Sequence, residues 1–175
     1  MKDSSLYDRL INIKAMLFDM DGVLTDGKVI VMPNDELIRS MHTRDGSAMS
    51  RAIKKGYQVG VISAGFSQPA IERFEKFGLQ HIYMDAKPKM PAYKEILSKT
   101  GIKPEEVLYM GDDIADMQCI HASGIGVCPA DACQDVLGVA DYVTEKVGGN
   151  GAVREVIEMV LRAQDNWDLP ELIDV

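Results

Sequence analysis

Cysteine, histidine and aromatic residues are scarce in this chain. The 175 residues include 3 cysteines and 3 histidines, and 6% are aromatic. The cysteines form no CxxC pair and have no set of histidines nearby, which argues against a zinc site and for reduced, structural thiols. The histidines are dispersed, and each is expected to be structural or exposed. The residues concerned are Cys119, Cys128, Cys133, His42, His81 and His121.

Long hydrophobic runs and basic clusters are also missing. No apolar run approaches the roughly 18 residues that cross a bilayer, and the first residues are too polar for a signal-peptide core, so we expect a cytoplasmic protein with no membrane partner. The chain has 19 Lys and Arg against 27 Asp and Glu, a net charge of -8. Nucleic acid is therefore not an expected partner. Mg²⁺, Lys and backbone N–H groups can still form a local pocket for a small anion.

Short apolar runs alternate along the chain with helix-length stretches. The runs suit buried strands and the stretches suit covering helices, which predicts an α/β fold with a Rossmann-like parallel sheet and helices on both faces. A chain of this length buries enough surface for one core, so residues 1–175 are expected to form a single domain. The expected strands are 13–18, 57–62, 107–110, 124–127 and 141–143, and the expected helices are 46–55, 68–77, 91–99, 114–122 and 152–163.

Two segments depart from this alternation. In residues 28–41, two short apolar stretches flank Pro33-Asn34-Asp35, which predicts a β-hairpin inserted after the first strand. The tail, about residues 165–175, is acidic, and two interpretations of it stay open: a frayed terminus, or a segment that docks on a neighbouring subunit. The second interpretation depends on the apolar side chains of Trp167, Leu169, Leu172 and Ile173.

Carboxylates follow two of the predicted strands. Asp19 and Asp21 come after the first strand in DMDGVLTDG, and Asp112, Asp113 and Asp116 come after the third in GDDIAD. Parallel strands place such residues at the sheet edge where ligands bind. So much negative charge requires a cation, and hard oxygen ligands with room for water and phosphate indicate Mg²⁺. One carboxylate can attack phosphorus while another transfers protons. The structural alternatives are an acidic loop and a helix cap that uses Asp113.

Two further polar residues lie between these motifs. Ser63 ends another predicted strand, and Lys89 precedes a predicted helix. A hydroxyl, an ammonium group and a metal can together hold phosphoryl oxygens. Taken singly, Ser63 is equally well explained as a turn residue and Lys89 as a solvated lysine.

These four elements, in this order, resemble the haloacid dehalogenase superfamily of phosphatases from about Lys14 to Asp116. The likeness extends over nearly the whole chain, through DGVLTDG, the hairpin, HTRDG, GDDIADM, ADYVT and GGNGAVRE, to the family of 3-deoxy-D-manno-octulosonate 8-phosphate phosphatases and the related nonulosonate 9-phosphate phosphatases. The resemblance implies a capless fold, Mg²⁺, and hydrolysis of a phosphorylated 2-keto-3-deoxy sugar acid through an aspartyl-phosphate. It also implies a homotetramer in which hairpins pack together and neighbouring subunits close one another's sites.

The same resemblance implies roles for individual residues. Asp19 would be the nucleophile and Asp21 the general acid and base. Mg²⁺ would be bound by Asp19, Asp112 and the backbone carbonyl of Asp21, while Asp113 and Asp116 would hold metal waters and orient Lys89. The expected substrate-binding residues are Ser63, Ala64, Lys89 and Arg44.

One position departs from the family pattern. The octulosonate phosphatases usually carry TGR at the second motif, with the arginine directed toward the sugar acid, whereas this chain reads Ser63-Ala64-Gly65. Phosphate chemistry is expected to survive, because serine supplies the same hydroxyl as threonine. Either another basic residue such as Arg44, or a group from a neighbouring subunit, replaces the missing arginine, or the preferred substrate differs.

A function of another class is a catalytically weak tetramerisation or regulatory module, related to the C-terminal domain of sialic acid cytidylyltransferases. A module freed from catalysis would be expected to lose some of the acidic and basic site residues, and none is missing. A mutase that transfers phosphate to a second sugar is a weaker alternative, because a site without a cap holds an intermediate poorly.

Overall fold

The structure, a computed structural model, describes residues 5–33 and 36–168. Six parallel strands in these residues form one sheet in the order β5-β4-β1-β6-β7-β8, and β2 and β3 form a separate antiparallel pair. The expected parallel sheet is therefore confirmed. The strands are β1 (Ala15–Phe18), β2 (Ile30–Val31), β3 (Leu37–Ile38), β4 (Gln58–Ile62), β5 (His81–Tyr83), β6 (Val107–Met110), β7 (Ile125–Cys128) and β8 (Tyr142–Val143).

Helices cover both faces of this sheet. They are α1 (Leu6–Leu10), α2 (Thr43–Lys54), α3 (Gln68–Phe77), α4 (Met90–Thr100), α5 (Met117–Ala122), α6 (Gln134–Leu137) and α7 (Ala152–Ala163). Because side chains alternate along a strand, Met16 and Phe18 pack into one core with α1, α2, α3 and α7. Ala15 and Leu17 pack into a second core with α4, α5 and α6. None of the described helices combines the length and apolar character needed to cross a membrane.

The sequence located the longer elements better than the short ones. Helix 68–77, strand 107–110 and helix 152–163 have the predicted boundaries. The predicted helix over 114–122 begins as a 3₁₀ turn, Ile114–Asp116, before α5. Four short elements were not predicted, since five residues or fewer give too little periodicity to recognise: α1, β5, α6 and a 3₁₀ turn, Pro104–Glu106.

The predicted hairpin is present, with strands of two residues each. Ile30 pairs with Ile38 and Val31 with Leu37, and the turn residues Asn34 and Asp35 lie outside the described residues. The hairpin strands expose their apolar side chains, with Ile30 64% and Val31 67% exposed, whereas β1, β6 and β7 are buried throughout.

The start of the C-terminal tail packs on its own chain, between α2 and α7. The Trp167 ring lies 4.4 Å from the Arg51 guanidinium carbon and 5.2 Å from that of Arg154. Arg51 also donates to the Asp168 carbonyl at 2.7 Å. Trp167 therefore packs on its own subunit, and neither of the two interpretations of the tail, fraying or docking on a neighbouring subunit, describes this packing. The other apolar tail residues, 169, 172 and 173, lie outside the described residues.

The cysteines and histidines have the structural positions expected of them. All three cysteines are free, and Cys119 and Cys128 are buried. His42 caps α2 by accepting from the Arg44 N–H at 3.2 Å, and His121 is exposed. The ring of His81 lies 2.9 Å from Gln58 Oε1, and burial lowers the His81 pKa.

We predict that Gly124→Ala destabilises the fold and that Gly138→Ala, a matched control, does not. A Cβ on Gly124 would lie 2.1 Å from the carbonyl oxygen of Glu105, so backbone must shift, whereas the nearest atom at Gly138 would be 3.5 Å away. The expected cost at position 124 is about 1–3 kcal/mol, and a gain of about 0.4–1 kcal/mol is expected at position 138. Thermal unfolding measures both; equal Tm values would contradict this prediction.

Candidate active site

The carboxyl ends of β1, β4 and β6 bring the predicted site residues to one edge of the sheet. Phe18 on β1 is in register with Val61 on β4 and Met110 on β6. The Asp19 N–H extends the ladder by donating to the Met110 carbonyl at 2.9 Å. The strand order also reverses between β1 and β6, and open α/β sheets bind ligands at such a point.

Lys89 supplies the positive charge at the centre of this cluster. Its side chain, at the start of α4, is 4% exposed, and its Nζ lies 2.7 Å from Asp19 Oδ1 and 2.6 Å from Asp116 Oδ1. Burial alone would lower the pKa of Lys89, but the carboxylates of Asp19 and Asp116 outweigh it and raise the pKa. Lys89 is therefore a buried ammonium group, and the alternative of a solvated lysine is wrong.

Asp19 is a buried carboxyl group whose ionisation is opposed by its surroundings. Burial, and then repulsion by Asp116, raise the pKa of Asp19 to about 8, while Lys89 acts in the opposite direction. A carboxyl group that attacks phosphorus must be ionised. The surroundings of Asp19 therefore favour a further cation beside it.

Asp112 carries an oxygen that the described residues leave without a partner. Its Oδ1 is buried and makes no hydrogen bond to any of them. Burial, and then repulsion by Asp116, raise the pKa of Asp112 to about 6. The carboxylate packs against Gly22, where φ is +91° and a Cβ would lie 2.0 Å from Asp112 Oδ2. Position 22 therefore requires glycine, because its φ is positive and because a side chain would collide with Asp112.

Asp116 holds this arrangement together through both of its oxygens. Oδ1 accepts from Lys89 and, at 2.7 Å, from the Tyr109 hydroxyl. Oδ2 accepts from the backbone N–H groups of Asp112 at 3.3 Å and Asp113 at 3.4 Å. Asp113 itself is exposed, and its Oδ1 caps the following turn by accepting from the Ile114 N–H at 2.8 Å.

The carboxylates form a set of hard oxygen donors that suits Mg²⁺. Oxygens of Asp19, Asp112 and Asp116 all lie within 4.8 Å of one another. Mg²⁺ is commonly held by one or two carboxylates, with water and phosphate completing its octahedron. Since both oxygens of Asp116 already accept hydrogen bonds, the unpartnered Asp112 oxygen and the Asp19 carboxylate fit the ion better.

Ser63 and Ala64 lie at the end of β4. Ser63 is 1% exposed, and its backbone N–H donates to the Tyr83 carbonyl at 2.8 Å. The Ser63 hydroxyl oxygen accepts from the Gly65 N–H at 3.1 Å and keeps its own proton for another acceptor. Ala64, which follows it, is exposed.

The loop that carries Asp21 is supported from two sides. Thr25 is fully buried, and its hydroxyl oxygen accepts from the N–H groups of Gly22 at 3.3 Å and Gly27 at 3.2 Å. Gly148 packs so closely that a Cβ there would lie 1.9 Å from the Gly22 carbonyl oxygen. The family resemblance includes both segments, DGVLTDG and GGNGAVRE, but the sequence analysis assigned no role to Thr25 or Gly148.

Asp21 is paired with an arginine that the sequence analysis did not identify. Arg39 Nε lies 2.7 Å from Asp21 Oδ1, and Arg39 Nη2 lies 3.1 Å from Oδ2. The Arg39 side chain follows the hairpin strand β3 and is 7% exposed. The sequence signals only its place at the end of the hairpin, because the pairing depends on how the hairpin folds over the Asp21 loop.

Arg44, the other predicted substrate-binding residue, lies outside this cluster. It is exposed in the first turn of α2. With Tyr142, Lys146 and Arg154 it lines a cavity of about 750 Å³ that none of the site aspartates lines. Within one subunit, the structure therefore gives Arg44 no contact with the predicted catalytic residues.

Comparison with known proteins agrees with this geometry. A family model described as haloacid dehalogenase-like hydrolase matches residues 46–130. The 3-deoxy-D-manno-octulosonate 8-phosphate phosphatase of Escherichia coli K12 is 36% identical over 157 residues, which cover 90% of this chain and 84% of the relative.

Solved structures extend the likeness to the fold. The octulosonate 8-phosphate phosphatase of Yersinia pestis matches with a TM-score of 0.90 and 34% identity, over 92% of this chain and 87% of that one. The same enzyme from Moraxella catarrhalis, in complex with magnesium ion, phosphate ion and a KDO molecule, matches with a TM-score of 0.88 and 32% identity over 91% and 92%. This chain therefore belongs to the haloacid dehalogenase superfamily, in the family of the 3-deoxy-D-manno-octulosonate 8-phosphate phosphatases.

Proposed function

We propose that this chain is a Mg²⁺-dependent phosphomonoesterase acting on a phosphorylated 2-keto-3-deoxy sugar acid, with 3-deoxy-D-manno-octulosonate 8-phosphate as the substrate. The observation that carries the proposal is the buried Lys89 ammonium between Asp19 and Asp116, beside the unpartnered Asp112 oxygen. We assign to Asp19 the role of nucleophile, to Lys89 that of a cation for phosphoryl oxygens and to Asp112 that of a metal ligand, and the closeness of the three at one edge of the sheet supports these assignments. The names of the relatives, and the magnesium, phosphate and KDO of the Moraxella complex, support it.

In the first half of the reaction, an Asp19 oxygen attacks phosphorus and the ester P–O bond breaks. Asp21 gives its proton to the departing sugar oxygen, which leaves as a hydroxyl group. Lys89 stays against the transferring group and offsets its charge. The Ser63 hydroxyl, with Ala64 beside it, donates to a phosphoryl oxygen.

In the second half, Asp21 takes a proton from water as that water attacks the phosphorus of the aspartyl-phosphate. The acyl-phosphate P–O bond breaks, phosphate leaves and Asp19 regains its carboxylate. Asp19, Asp112 and the Asp21 backbone carbonyl would hold Mg²⁺, with Asp113 and Asp116 in contact with its waters. When bound, Mg²⁺ neutralises charge on the phosphoryl group.

A catalytically weak module is not favoured. Such a module has no need to keep Asp19, Lys89, Asp112 and Asp116 within contact distance, and burying a charged cluster without a use is costly.

The three free cysteines suit a reducing compartment, which supports a place in the cytoplasm.

We also propose that the chain works as a homotetramer joined through its hairpins. Two strands of two residues are too short to be stable alone in water. The hairpin nevertheless exposes a row of apolar side chains, and exposed apolar patches of this kind mark interaction surfaces. The row consists of Val29, Ile30, Val31, Leu37 and Ile38.

Asp19→Asn is expected to abolish phosphate release while preserving the fold, because an amide cannot attack phosphorus as a carboxylate does. Asp21→Asn should reduce turnover by about 10²–10⁴, the usual contribution of a general acid or base. The control is Asp26→Asn, in the same loop but about half exposed and facing Lys28, which should retain activity. Phosphate release is measured with octulosonate 8-phosphate. Wild-type turnover by Asp19→Asn would contradict the nucleophile assignment.

Chelation of Mg²⁺ should remove activity, Mg²⁺ should restore it, and Ca²⁺ should substitute poorly because it favours larger, more flexible coordination.

The affinity of the site for Mg²⁺ should also rise with pH. Without metal, the pKa values of Asp19 and Asp112 are raised to about 8 and about 6, so protons compete with Mg²⁺ below those values and must be displaced on binding. Calorimetric titration between pH 6 and 8 measures this. Full activity in excess EDTA, or a pH-independent affinity, would count against the site.

The hairpin interface predicts that Val31→Asp yields smaller assemblies than the wild type. The substitution puts a charge among apolar side chains that would face other subunits. Light scattering at micromolar concentration gives the mass, and Ile11→Asp, at a position 45% exposed outside the hairpin, serves as control. A wild-type monomer that is fully active would remove both the tetramer and the sharing of sites between subunits.

A further inference from the structure

Arg39 engages both oxygens of the carboxylate proposed to transfer protons. The two contacts, Nε to Oδ1 at 2.7 Å and Nη2 to Oδ2 at 3.1 Å, have the bidentate geometry that makes an arginine–carboxylate pair strong and directional. A carboxylate held in this way has little freedom to meet a leaving oxygen. Some event in the reaction must therefore loosen the pair.

The Arg39 guanidinium also lies where a side chain at position 65 would project. A Cβ on Gly65 would lie 3.4 Å from Arg39 Nη2, 3.3 Å from Asp21 Oδ2 and 3.8 Å from Ser63 Oγ. The space next to position 65, where the family pattern has an arginine, is thus bordered by an arginine that follows the hairpin. A guanidinium group therefore lies beside position 65, although it belongs to a different part of the chain.

Beyond Arg39, a cavity of about 420 Å³ separates the hairpin from the start of α3. Its walls include Ile38, Arg39, Ser67 and Arg73, as well as Glu36. The Nε of Arg73 is buried and has no hydrogen-bond partner in the described part of the chain. Arg39 therefore stands between Asp21 and a space with a second guanidinium in its wall, which suits an anionic group of a substrate.

We propose that Arg39 is the residue that selects the sugar acid, by exchanging the Asp21 carboxylate for the carboxylate of the substrate. The inference rests on the proposed function, since it assumes that Asp21 transfers protons and that the substrate carries a carboxylate. The exchange replaces one arginine–carboxylate pair by another, so it conserves charge and hydrogen bonding. Once released, Asp21 is free to face the leaving oxygen.

This exchange makes acidic and neutral substrates respond in opposite directions to the loss of Arg39. A sugar acid loses its partner when Arg39 is removed, whereas a neutral sugar phosphate, which cannot displace Asp21, loses an obstacle. Arg39→Ala is therefore expected to lower kcat/KM for the acid at least about tenfold, the scale of one charge-assisted bond. For the neutral substrate it should leave kcat unchanged or raise it.

The test compares 6-phosphogluconate with glucitol 6-phosphate, a linear pair that differs in the carboxylate, alongside octulosonate 8-phosphate, all with Mg²⁺. Arg39→Lys should fall between wild type and Arg39→Ala, because lysine keeps the charge but loses the bidentate fork. Adding Gly65→Arg to Arg39→Ala should restore the preference for acids, since a guanidinium then returns to the vacated space. Lys28→Ala, which removes an exposed charge from the hairpin, is the matched control and should change neither substrate's constants.

Equal losses on acidic and neutral substrates would overturn the proposal and reduce Arg39 to a residue that positions Asp21. An acid-specific loss in Arg44→Ala, with none in Arg39→Ala, would overturn it in favour of Arg44. Equilibrium binding of octulosonate, followed by NMR titration, needs no turnover and should weaken about tenfold in Arg39→Ala; unchanged binding overturns the proposal. A wild-type protein that binds octulosonate through Arg39 but releases phosphate from no sugar phosphate would refute the proposed function alone.

Discussion

The contact of one ammonium group with two carboxylates is the interaction on which the site depends. Parallel strands gather the acidic residues at the carboxyl edge of the sheet, and Lys89 lies within 2.7 Å of two of them. Lysine at the start of a helix is locally unfavourable, because the helix dipole repels a cation there. The carboxylates outweigh that repulsion, and the pKa of Lys89 is raised despite its burial. A local preference overridden in this way is typical of a functional site.

The second constraint is steric and lies in the backbone. Asp112 can approach the Asp21 loop only because position 22 has no side chain, and that loop can lie against the 148–149 segment only because Gly148 has none. The Gly149 N–H then donates to the Val23 carbonyl at 2.9 Å. Two segments distant in sequence, at Asp112 and at 148–149, thus hold the loop that carries Asp21.

The hairpin segment contributes one side chain to the candidate site. The side chains of its strands are apolar and exposed, whereas that of Arg39, which directly follows β3, turns inward to Asp21. A two-stranded ribbon of this length has little stability of its own. The ion pair between Arg39 and Asp21 is one contact that ties this ribbon to the rest of the subunit.

The sequence by itself determined the sheet, the larger helices and the acidic motifs, because periodicity and residue order are local properties. Asp19, Ser63, Lys89 and Asp112 each follow or precede a strand or helix that the pattern reveals, so their meeting at one edge could be predicted. Three features could not be predicted from the sequence: the Asp21–Arg39 pair, the burial of Lys89 and the position of Arg44 in the wall of another cavity. They depend on how a short hairpin and several helices pack over the sheet edge, and side-chain contacts between segments distant in sequence are decided only by tertiary structure.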